Sequence, residues 1–153
     1  MYKSSKTYGH EVGLTSCFRQ HRAESHCRFL HGYALSVHLE FEADELDICK
    51  WVVDFGSLKS FKQQLEDTFD HKTLVAEDDP FRNEFVTLHA QGLIDMVLVP
   101  ATGCEAFAKL IYECAEVWLH DAGYAPRVRM SSVTVREHGA NSASYVPAIV
   151  SPV

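Results

Sequence analysis

The sequence predicts an α+β domain. Three observations lead there. Residues 31–41 alternate strictly, with His31, Tyr33, Leu35, Val37, Leu39 and Phe41 on one parity and Gly32, Ala34, Ser36, His38 and Glu40 on the other, the period of a half-buried strand. Leu58, Phe61, Leu65 and Phe69 recur at helical spacing after Asp54. Phe107, Leu110, Ile111, Cys114 and Trp118 do the same after Thr102. The order of elements is two strands, a helix, a hairpin or loop, a second helix and a final strand or pair, which is the pattern of an α+β fold.

Taken along the chain, Val12 to His21 forms the first strand and pairs antiparallel with residues 31–41, bringing His21 near His31 across the intervening loop. Side-chain parity puts His31 and Tyr33 on the apolar inward face and His38 on the polar one, so His31 is the better ligand candidate. An acidic, turn-prone segment, Glu42 to Lys50, leads to Trp51-Val52-Val53, and Asp54 is placed to cap the first helix. From Phe81 to Pro100 a Gln91-Gly92 turn precedes Leu93 to Val99 and reads as a hairpin or an extended arm. Thr102 and Glu105 have capping-box spacing at the start of the second helix, and Gly123 and Pro126 stop it. In the last strand, Arg127 to Glu137, the carboxylate of Glu137 shares a side with Val133 and Val135 and therefore needs a partner. No repeat, linker or low-complexity segment divides the chain, which reads as one domain, 1–153, with two helices covering one face of a sheet.

Of the 153 residues, 46% are hydrophobic and 23% charged, so the chain can bury a full core without a disulfide or structural metal. Fourteen basic residues against 21 acidic ones give a net charge of −7, which argues against a nucleic-acid partner. Arg19, Arg22 and Arg28 nevertheless make a local positive patch suited to an anionic ligand. Five cysteines, odd in number and without CxxC spacing, imply neither a disulfide framework nor a cysteine zinc site. They fit a reducing compartment. No apolar run is long enough to span a bilayer, and the expectation is a cytoplasmic protein with no membrane partner.

The chemistry concentrates in HRAESHCRFLHGY, His21 to Tyr33, where three histidines, one cysteine and two arginines occupy thirteen residues. Cys27 lies among cations that favour its thiolate and can serve as base or nucleophile. Asp70-His71 supplies a carboxylate beside an imidazole at a helix-to-loop junction. His21 and His31 offer two donors to zinc, which requires at least a third. Together these point to metal-assisted or thiol-based proton chemistry on a small anionic substrate.

The arrangement Cys27-x-x-Leu30-His31-Gly32, then Val53-Asp54-Phe55-x-x-Leu58-Lys59, then Phe69-Asp70-His71-x-x-Leu74, then Glu105, and finally Glu137 with Tyr145 behind it, resembles the 6-pyruvoyltetrahydropterin synthase family, from about Cys17 to Tyr145. That family includes the 6-carboxy-5,6,7,8-tetrahydropterin synthases of the queuosine pathway. The resemblance implies the tunnelling fold: an antiparallel sheet with two helices on one face, joined between subunits into a barrel as a homo-oligomer, trimer or hexamer, with active sites between subunits. It implies 7,8-dihydroneopterin triphosphate as substrate. One branch cleaves the side chain to give carboxytetrahydropterin, acetaldehyde and triphosphate; the other eliminates triphosphate to give the pyruvoyl product. Cys27 then matches the proton-abstracting cysteine, Asp70 and His71 the accompanying proton-delivering pair, Glu137 the acid that anchors the pterin ring, and Glu105 a glutamate near the pterin.

The family binds zinc through a first-strand histidine and both histidines of an HGH motif. His21 and His31 match as metal ligands, whereas Tyr33 stands in place of the third. A phenol must lose a proton of pKa about 10 before it binds zinc well. His26 either replaces the missing ligand or activates the Cys27 thiol. Two functions follow: a pterin synthase-like lyase, or a non-catalytic pterin-binding or assembly protein with a degraded zinc site.

Overall fold

The computed structural model describes residues 1–148. It is α+β, with seven strands and three helices in the described residues. The strands are β1 (Tyr2–Tyr8), β2 (Leu14–Phe18), β3 (His31–Ala43), β4 (Lys72–Ala76), β5 (Met96–Val99), β6 (Val128–His138) and β7 (Asn141–Tyr145). The helices are α1 (Lys59–Phe69), α2 (Arg82–Ala90) and α3 (Cys104–Asp121).

One sheet runs β5-β4-β2-β3-β6-β7, with β1 also paired to β3. The long strand β3 organises it, since β2 covers His31 to Leu35 and β1 covers Val37 to Ala43 on the same edge, both antiparallel. The expected alternation holds where the sheet is packed, with Leu35, Val37, Leu39 and Phe41 buried. The sheet is mixed, however, and not purely antiparallel, because β4 runs parallel to β2 and β5 parallel to β4. A parallel neighbour needs a crossover, and α2 provides it between β4 and β5. The stretch expected to be a hairpin or arm is therefore a helix and an edge strand.

α1 and α3 pack together over the sheet, joined by Phe61 against Trp118 at 6.0 Å and Phe69 against Phe107 at 5.4 Å between ring centroids. Leu58, Phe61, Leu65 and Phe69 are all buried as their period requires. On α3 the buried stripe runs through Phe107, Ala108, Ile111, Ala115, Trp118 and Leu119, while Cys114, one turn along the expected stripe, is exposed. Asp54 does act as a cap, accepting from Gly56 N–H at 2.8 Å, but for a short helical turn, Phe55–Leu58, that leads into α1. The capping box at α3 does not form. Gly103, at φ 112°, is the cap residue, and the Thr102 hydroxyl donates instead to Arg19 C=O at 2.7 Å.

Candidate active site

The α3 N-terminus and the far end of β6 meet at one group of side chains. The β6–β7 register shifts between Arg136 and His138, so Glu137 is the extra residue of a bulge and its side chain is re-aimed. It lies beside Cys104, the first residue of α3, on the same cavity wall. A carboxylate at a helix N-terminus also gains from the helix dipole. Burial first, then the neighbouring Glu137 carboxylate, with Glu105 adding, push the Cys104 thiol up to about 12. Cys104 is therefore a neutral thiol and no competitor to Cys27 as a nucleophile.

Glu137, Glu105 and Cys104 line an open, mostly polar cavity of about 430 Å³ with Gln20, Ala140, Asn141 and Ser142. Gly103 permits this: a Cβ there would lie 2.5 Å from Gln20 Nε2. Tyr33 borders the same group. Its phenol is raised above its ordinary value by burial and then by the charges of Glu137, Cys27 and Cys104. Cys27 C=O accepts from Gln20 N–H at 2.9 Å, which joins its turn to the cavity that Gln20 lines. Cys27 sits in a short turn, His26–Arg28, capped by the Ser25 hydroxyl, which accepts from Cys27 N–H at 3.4 Å. His26 itself is exposed.

Asp70 and His71 lie elsewhere. The chain leaves α1 with His71 at φ 57°, which turns its Nδ1 to within 2.8 Å of Asp70 Oδ1. Asp70 Oδ1 also accepts from Thr15 N–H at 3.3 Å. The imidazole is exposed and opens onto a groove of about 510 Å³ lined by Thr15, Cys17, Gly32 and Leu93, among others. Cys17 and Gly32 have the opposite parity to Phe18 and Tyr33. Within one chain, then, Cys27 adjoins the cavity of Gln20 and Glu137 through its backbone bond to Gln20, and the Asp70–His71 pair opens onto a different groove.

The arginine patch is largely spoken for. Arg19 makes a two-pronged pair with buried Asp79, Nε to Oδ2 at 2.8 Å and a terminal nitrogen to Oδ1 at 2.9 Å. Arg22 pairs with Asp78. Arg28 donates to the carbonyls of Glu24 and Ser25 at 2.8 and 3.2 Å and lies over the Phe29 ring. These acids, 56 to 60 residues from Arg22 and Arg19, neutralise two of the three charges expected to meet an anion.

The sequence of residues 10–148 matches the model of a family described as 6-pyruvoyl tetrahydropterin synthase. The chain belongs to this family. It is 26% identical over 148 residues to a 6-carboxy-5,6,7,8-tetrahydropterin synthase of Aquifex aeolicus (strain VF5), covering 95% of this chain and 88% of the relative. An uncharacterized protein from Wolinella succinogenes shares the fold with a TM-score of 0.78 at 20% identity, over 96% of this chain and 98% of that one. A 6-pyruvoyltetrahydropterin synthase mutant from Plasmodium vivax does so with a TM-score of 0.69 at 16% identity, over 97% and 100%.

The two histidines expected as metal ligands, His21 and His31, are not set directly across from each other. The β2–β3 register sets Phe18, not His21, directly opposite His31. His21 lies beyond the end of β2, with Nε2 3.6 Å from Asp78 Oδ1, and lines a separate small cavity with Gln20, Asp78 and Thr102. Among the described residues no three His, Cys, Asp or Glu side chains are grouped so as to hold a metal ion. Sequence reasoning missed Gln20, Cys104 and Phe18. Cys104 was signalled by its place beside Glu105, whereas Phe18 emerges only once the register is known.

Proposed function

We propose that this chain is a lyase of the pterin synthase family that acts on 7,8-dihydroneopterin triphosphate, giving 6-carboxy-5,6,7,8-tetrahydropterin as the first choice of product and the 6-pyruvoyl compound as the second. The carrying observation is Glu137, a carboxylate at a bulge that lines an open polar cavity beside Cys104. A pterin presents two adjacent N–H groups on one edge, and a carboxylate accepts both in a directed pair. Gln20 and Glu105 on the same cavity wall offer further polar contacts to the ring. The carboxy branch is favoured by the Aquifex relative.

In this reading Cys27, joined to the ring pocket through Gln20, removes a proton from the substrate side chain. Asp70 orients His71 through the 2.8 Å contact, and the imidazole delivers protons. The separation of Cys27 from His71 within one chain favours a site shared between copies, and hence a homo-oligomer. Triphosphate meets this site through whatever positive charge adjoining copies contribute, since Arg19 and Arg22 are already paired.

The second reading, a pterin-binding protein without turnover, draws on the aromatic residues at the metal position. Incubation with 7,8-dihydroneopterin triphosphate, followed by mass identification of products, separates the two. The lyase releases triphosphate and a modified pterin, and Cys27→Ala lowers that rate by about a hundredfold or more while still binding pterin. Wild-type protein that binds pterin and leaves it unchanged is the binding protein.

A further inference from the structure

On the helix-facing side of the sheet, positions 18, 31 and 33 form a triangle: Phe18 faces His31 across the β2–β3 ladder, and Tyr33 is the next residue of like parity on β3. The ring centroids of Phe18 and His31 are 5.1 Å apart, those of His31 and Tyr33 5.4 Å and those of Phe18 and Tyr33 6.1 Å. Phe107 of α3 closes the group edge-on to Phe18 at 5.0 Å, and Phe18 is fully buried. His31 alone keeps the arrangement of a metal-binding imidazole, with Nδ1 donating to Phe29 C=O at 2.7 Å and Nε2 left with its lone pair.

We infer that this chain does not hold zinc where its family does: Phe18 and Tyr33 fill two of the three ligand positions with aromatic rings, leaving His31 as a packed imidazole. Zinc needs at least three nitrogen, sulfur or oxygen donors at about 2.0–2.3 Å. Here the rings packed on His31 offer hydrocarbon and one neutral phenol, and among the described residues no three His, Cys, Asp or Glu side chains come together to hold an ion; placing an ion against hydrocarbon without donors is strongly unfavourable. The neighbouring imidazole, His138, has its ring 6.1 Å from Tyr33, but its Nδ1 accepts from Ala140 N–H at 3.2 Å and its Nε2 meets Asn141 Nδ2 at 3.3 Å. The aromatic packing that excludes the ion also ties β2 and β3 to α3, so this end of the sheet is held by side-chain stacking.

The inference stands apart from the proposed reaction, because its readout is metal and not turnover. Untagged protein is dialysed with excess zinc, desalted and assayed for metal per chain, and cobalt(II) is titrated in parallel for the absorption bands of a four-coordinate site. The wild type is expected to retain less than about a tenth of a zinc per chain and to show no such bands. Phe18→His with Tyr33→His together supplies three imidazoles on one face, and this variant is expected to take up one ion per chain. Near one zinc per wild-type chain, lost in His31→Ala, overturns the inference. Zinc that persists in His31→Ala lies at another place and leaves it standing. Because a buried Phe18→His change risks the fold, circular dichroism accompanies the double variant; a folded double variant that binds no ion contradicts the assignment of the triangle, and an unfolded one leaves the decision to the wild type and His31→Ala.

Discussion

Asp70 Oδ1 and His71 Nδ1 stand 2.8 Å apart although the residues are adjacent in sequence, because His71 takes a left-handed backbone conformation, φ 57°. Few residues with a Cβ adopt it. Such strain persists where the surrounding structure holds it, and here His71 N–H donates to Thr15 C=O at 2.7 Å and the carboxylate accepts from Thr15 N–H. The contact fixes which ring nitrogen faces the carboxylate and leaves the other toward the groove.

Asp70→Asn keeps the shape of this pair and removes its charge. The lyase reading expects kcat to fall about a hundredfold with KM little changed, since Asp70 acts through His71 and does not touch the pterin. Steady-state kinetics decides, and an unchanged kcat removes the pair from the reaction.

Cys104 and Cys49 should differ sharply toward iodoacetamide at pH 8. Cys49 is exposed, whereas Cys104 is buried and its thiol lies at about 12. Peptide mass mapping is expected to find Cys49 alkylated and Cys104 untouched. The raised value means that the folded chain holds this proton more tightly than the unfolded chain, whose thiol has the ordinary 9.0. The associated stabilisation is complete below pH 9 and is lost as pH rises from there through about 12.

Asp79→Asn tests the ion pair that anchors the β2 exit. Asp79 is buried, and Arg19 holds its carboxyl below the usual 3.8. Breaking the pair leaves the Arg19 charge without its partner and is expected to cost about 2–3 kcal/mol, a Tm drop of roughly 5–10 °C at pH 7. Because the folded carboxyl is the more acidic, its contribution is present above pH 3.8 and fades as pH falls through the lowered value. Melting curves of the two proteins should therefore converge in acid.

The elements with strong internal periods were legible in the sequence, and those set by partners were not. β3 and α1 announced themselves by alternation and by helical spacing. α2 did not, since Phe85 is its one buried residue and the Gln91-Gly92 turn drew attention instead. β4 was hidden, and β5 read only as part of a hairpin or arm, because parallel strands are paired through distant segments, and nothing local in Thr73 to Ala76 names β2 as a neighbour. The capping box failed for a similar reason: Arg19 C=O, 83 residues away, claims the Thr102 hydroxyl. At the site, Glu137 was legible as an acid on an apolar strand that required a partner, but the residue beside it, Cys104, belongs to another element. Arg19 and Arg22 read as free charge because Asp79 and Asp78 lie far along the chain.

The account turns on Glu137 as the group that holds the pterin ring, and the most direct measurement is a fluorescence titration with 7,8-dihydroneopterin, which lacks the triphosphate and so reports the ring pocket. Glu137→Gln replaces an acceptor oxygen by a donor nitrogen at nearly the same shape. The wild type is expected to bind saturably, and the variant at least about tenfold more weakly, the loss of one charge-assisted hydrogen bond. Equal affinity in the two proteins would contradict the assignment of this cavity to the pterin.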